Sequence, residues 1–101
     1  MPSYRAVLQI TGLRPGCPPE RVMAAAKEAV ASVHLVEADQ IDIVRGIPQI
    51  TVRFLVEAAN EPEEIAAARR AGLIMQDSVE DVATTGRLQV LRRSRGRWLP
   101  V

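Results

Sequence analysis

Hydrophobic positions along the chain repeat first at every second residue and then at every third or fourth. In SYRAVLQITG (residues 3–12), Ala6, Leu8 and Ile10 alternate with Arg5, Val7, Gln9 and Thr11, the period of a strand with one buried face. Gly12, Pro15 and Gly16 end that strand. From Pro18 the period lengthens, and Val22, Ala26, Ala29, Val30 and Val33 form one stripe of a helix. Paired prolines suit its first turn, where amide hydrogens lack intrahelical partners anyway. Two strands are predicted near 36–45 and 48–58, joined through RGIP as a hairpin. In the second, Ile50, Val52, Phe54 and Val56 share one face, and Thr51, Arg53, Leu55 and Glu57 the other.

A second helix is expected from Asn60, a good N-cap, with Pro62 in its first turn and Glu63 and Glu64 at the positive end of its dipole. Ile65, Ala68, Gly72, Met75, Val79 and Val82 lie on one face through to about Thr84, and Gly86 fits a C-terminal cap. Leu73 and Ile74 fall off that stripe. Either Gly72 breaks the helix, with Asp77 or Ser78 capping a second segment, or the two side chains meet another surface. The last stretch, RLQVLRRSRGRWLPV (87–101), reads as a strand, a turn at Ser94–Gly96 and a short closing strand.

This order gives an α+β fold, expected to be a ferredoxin-like βαββαβ sandwich. Two helices would cover one face of a four-stranded antiparallel sheet, with an extra C-terminal hairpin strand as an option. A single domain spanning 1–101 is expected from the length and the absence of any linker.

Composition narrows the function classes. At 48% hydrophobic and 25% charged residues, the chain is globular rather than disordered. No apolar run approaches the ~18–20 residues that span a bilayer, so no membrane partner is expected. The first ten residues lack the segments of a secretory signal. A single cysteine forms no internal disulfide, which makes a soluble, reducing, cytoplasmic setting the expectation. Basic residues are twelve arginines and one lysine, a bias that suits GC-rich coding. Charge is unevenly placed: residues 1–86 carry a net −4 and residues 87–101 a net +5.

The loop ITGLRPGCPPERV (10–22) sets a lone Cys17 between a glycine turn and a helix start. That order resembles the loop of heavy-metal-associated domains, which share the ferredoxin-like plan and carry two cysteines separated by two residues. Here no second thiol lies between Pro18 and Val22, and the only histidine, His34, lies at the far end of the helix. One thiolate does not close a soft-metal site, so no metal or cofactor is expected. Cys17 is a small turn-filling residue or, in the alternative, a reactive thiol favoured by the helix start and by Arg14 and Arg21.

No other pattern marks catalysis. Asp77, Glu80 and Asp81, and Asp39 and Asp42, read as solvated carboxylates without a calcium loop. No nucleotide-binding loop or nucleophile elbow occurs. Arg87, Arg92, Arg93, Arg95 and Arg97, followed by Trp98, form a candidate anion-binding segment able to contact phosphates and stack a base. Against a nucleic-acid role, the open sheet face is expected to carry Arg53, Gln9 and Thr51 rather than aromatic rings.

The chain therefore reads as a non-catalytic, self-associating protein-interaction module, with a homodimer favoured and a larger protein partner allowed. Its candidate contacts are Val7, Leu55 and Leu91 on the open sheet, and Leu73 and Ile74 on the second helix. Anion or nucleic-acid binding through the arginines is the alternative, and a redox role for Cys17 a minor one.

Overall fold

The computed structural model describes residues 2–101. Its elements follow in the order β1 (Ser3–Leu13), α1 (Glu20–Ala31), β2 (Leu35–Val44), β3 (Ile47–Leu55), α2 (Glu61–Val79), β4 (Ala83–Ser94) and β5 (Arg97–Pro100). The strands form one antiparallel sheet in the order β2-β3-β1-β4-β5. The sheet thus has five strands, the fifth being the C-terminal hairpin strand held open as an option beside the expected four. The fifth forms because a turn at Arg95 and Gly96 folds Arg97–Pro100 back onto Leu91–Ser94.

The period-two residues of the central strands build the core. Tyr4, Ala6, Leu8 and Ile10 on β1 and Ile50, Val52 and Phe54 on β3 are buried on one sheet face, joined by Val56 just after β3. Both helices cover that face, α1 through Val22, Ala26 and Val30, and α2 through Ala68, Ala71, Met75 and Val79. Tyr4 keeps its polar tip satisfied: its hydroxyl donates to Glu64 and accepts from Arg92 Nε, each at 3.2 Å. Burial is the largest influence on its pKa and raises it, with Glu64 adding to the rise and Arg92 opposing it.

The helices differ from the sequence reading at the start of α1 and the end of α2, and the open question of a break at Gly72 is decided. Helix α1 starts at Glu20, so Pro18 and Pro19 form the turn ahead of it. Helix α2 is continuous through Gly72, whose missing side chain lets it approach β4: a Cβ there would stand 2.8 Å from Val90 Cγ2. It also ends earlier than expected, at Val79. Val82 is buried beyond the helix end, and Gly86 lies in β4 against Gln9, not at a helix cap.

Candidate functional site

Strand β2 lies at the sheet edge and forms a hairpin with β3. The hairpin closes on a two-residue turn, Arg45 and Gly46, both at positive φ, the geometry that matches strand twist. From there the register runs regularly from Val44↔Ile47 through Ile41↔Ile50 to Ala38↔Arg53, where an irregularity at Glu37 interrupts it. Helix α1 reaches this hairpin only with Val22 and Met23, beside Ile41 and Ile50, and the residues nearer the turn stay exposed. Ile41, Ile43, Val44 and Ile47 are 63%, 73%, 44% and 39% exposed. On the helix side Ile41 lines an apolar groove of about 290 Å³ with Ile10, Leu13, Val22, Met23 and Ile50 among others, whereas Val44 and Ile47 lie on the opposite face.

Polar side chains along β2 are already matched. Lys27 on α1 bonds Asp39 at 2.9 Å. Glu37 accepts from Ser3 at 2.8 Å and pairs with Arg53 at 3.3 Å. Gln40 donates to Asp42 at 2.7 Å. These half-exposed pairs add little stability individually.

The helix-free sheet face has a different character. Val7, Leu55 and Leu91 are half-buried there, as their alternation with core residues requires. Trp98 reaches across from β5, with the Arg5 guanidinium 4.1 Å and the Arg53 guanidinium 5.3 Å from its ring centroid. A niche of about 60 Å³ between Arg5, Gln40, Thr51 and Arg53 adjoins it.

The structure disperses the C-terminal arginines. Arg92 lies on the helix-covered side, held by Tyr4 and 3.6 Å from both Glu61 and Glu64. Arg93 pairs in register with Trp98, while Arg95 forms the β4–β5 turn and Arg97 opens β5. Arg87 lies near the other end of β4, its amide donating to Gln9. The candidate oligomer contacts are dispersed too. Leu73, 60% exposed, borders a groove with Leu88, Val90 and Val101, whereas Ile74 faces Val33 and His34. Neither shares a layer with Val7, Leu55 and Leu91.

Cys17 sits three residues before α1 and packs, half-buried, against the core. His34 lies just beyond the end of α1 and stacks on Phe54 at 5.4 Å. Burial pushes its imidazole below the ordinary value; a backbone hydrogen bond to Ala67 opposes this and the charge of Arg70 adds to it. Among the described residues, no three His, Cys, Asp or Glu side chains come together as a metal site would require.

Two features escaped the sequence reading. The strand period at Ile41 and Ile43 was visible, but nothing local says which strand forms an edge or where the helices stop. The stacking of Trp98 with Arg5 and Arg53 joins residues more than forty positions apart on three strands, a proximity that only the sheet order creates. Neither protein-family models nor curated proteins gave a match to this chain.

Proposed function

We propose that the chain is a non-catalytic, self-associating interaction module on a ferredoxin-like plan extended by one edge strand, and that its first partner is a second copy of itself. The observations that carry this reading are Ile41 and Ile43, large apolar side chains exposed on one face of β2 where Ile41 lines an apolar groove, and Val44 and Ile47, exposed on the opposite face of the same hairpin. Contiguous exposed apolar surface marks association sites. The single cysteine supports a reducing, cytoplasmic setting for that assembly.

Light scattering after size-exclusion chromatography, at low and high salt, tests the reading. A dimer or larger assembly is expected at both, since burial of apolar surface is not screened by ions. A monomer throughout a wide concentration range overturns it.

A second reading, anion or nucleic-acid binding, draws on Trp98 lying among Arg5 and Arg53 on the open face. An indole beside guanidinium groups offers both stacking and phosphate contacts. Binding of a labelled single-stranded oligonucleotide would then fall steeply with salt and be lost in Trp98→Ala. A thiol-dependent role would instead fail on Cys17→Ser, which leaves both other readings untouched.

A further inference from the structure

We propose that β2 pairs antiparallel with β2 of a second copy about a two-fold axis at Ile41, joining two five-stranded sheets into one continuous sheet. The proposal rests on the self-association reading and assigns its surface and register.

The backbone points to this strand. In a two-residue hairpin the closing pair, here Val44 and Ile47, exchanges both of its hydrogen bonds, and bonded and non-bonded pairs then alternate. Asp42 and Gln40 therefore bond inward to β3, while Ile43, Ile41 and Asp39 turn their amide and carbonyl groups outward. Pro48 fits this phase: it stands opposite Ile43, a pair that needs no amide donor from it. The other sheet edge is guarded. Strand β5 has only four residues, includes Pro100, and is flanked by Arg93, Arg95 and Arg97, the short, charged, proline-bearing pattern that discourages pairing.

Side chains select the register. The uninterrupted run Ala38–Val44 is centred on Ile41, so a two-fold there uses all of it. Ile41 then meets the partner's Ile41, and Asp39 stands beside the partner's Ile43. On the other face Gln40 lies opposite the partner's Asp42, which repeats across the axis the amide–carboxylate bond made within the chain. No carboxylate faces another carboxylate. A two-fold at Asp39 or at Asp42 would instead set two like charges together on the axis, which is unfavourable. Lys27 partners Asp39 and Arg53 partners Glu37, which lessens repulsion between the acidic residues of two copies. Pairing also covers Ile41 and Ile43, among the most exposed apolar side chains of the molecule.

Site-specific cross-linking tests the axis, using full-length protein with Cys17→Ser as background. Cysteine at Ile41 would place two Cα atoms about 5.5 Å apart across a bonded pair, within disulfide reach. Cysteine at Ile43 would place them roughly 14 Å apart, four residues out of register. Leu91→Cys reports the open sheet face. Under mild oxidation, Ile41→Cys is expected to give a disulfide-linked dimer at least tenfold faster than either other variant. Ile41→Lys, at an exposed position, is expected to weaken the dimer at least tenfold without altering the unfolding midpoint of the monomer. If the parent protein is dimeric but Leu91→Cys or Ile43→Cys links faster, the register is overturned while self-association stands. If the parent protein is monomeric at every concentration, both readings fall.

Discussion

At the residue scale, the tightest constraint is Gly72. A methyl group at this position would stand 2.8 Å from Val90 Cγ2 and 3.4 Å from Leu88 Cδ2, closer than carbon atoms pack without displacement. Alanine gains about 1 kcal/mol of helix propensity over glycine, which the contact opposes; valine adds volume and no such gain. Gly72→Val is expected to destabilise by about 1–3 kcal/mol, measured by urea denaturation. Adding Val90→Ala should cost less than the sum of the two single changes, because the second makes room for the first. His34 gives a pH-dependent counterpart. Its folded pKa lies below the ordinary 6.5, so the unfolded chain takes up the proton first as pH falls. The contribution is complete above the unfolded value and is lost as pH falls toward the folded one. His34→Leu is therefore expected to flatten the fall in stability as pH drops through and below the ordinary 6.5, read from denaturation midpoints. The helical period placed His34 near a helix end, but its stacking on Phe54 and its burial depend on packing between α1, β3 and α2.

At the element scale, α2 carries its start signal locally. The Asn60 side chain accepts the Glu63 amide at 2.9 Å, with acidic residues filling the first turn. Asn60→Ala is expected to cost about 1 kcal/mol, again by denaturation, while Asn60→Asp should retain most of the cap. Helix α1 has no side-chain cap, so no comparable loss is available there. The central strands β1 and β3 were legible because each has one face under the helices, which stamps a strict alternation onto residues 4–10 and 50–56. Strand β2 resists the same logic, for it is exposed on nearly its whole length and its isoleucines are not explained by the chain's own core. The end of α2 was misplaced for a related reason. Val82 continues the helical stripe, and burial alone does not distinguish a final helical turn from the bend that follows it.

At the scale of the whole molecule, the uneven charge is partly resolved within the fold. Arg92 is drawn to Glu61 and Glu64 at the start of α2, while Arg93, Arg95 and Arg97 remain exposed along the β4–β5 edge. Association by apolar side chains and strand pairing should thus persist up to about 0.5 M salt, where surface charges are screened within a few ångströms. Trp98→Ala, which changes only the open face, is expected to leave the molar mass unchanged if the β2 edge is the interface. A shift to monomer in that variant would place the contact on the helix-free face.

Hydrophobic period, turn residues and caps by themselves determined the order of elements, the inward face of β1 and β3, and the apolar stripes of the two helices, because these are set by neighbours a few residues apart. Tertiary structure alone decided which strand would stand bare at the edge, that α2 would run unbroken over Gly72, that five arginines would scatter over both sides of the sheet, and that Trp98 would meet Arg5 and Arg53. Each of these depends on pairings between distant segments, and local sequence carries no record of which partners a segment will find or which surfaces will be left without one.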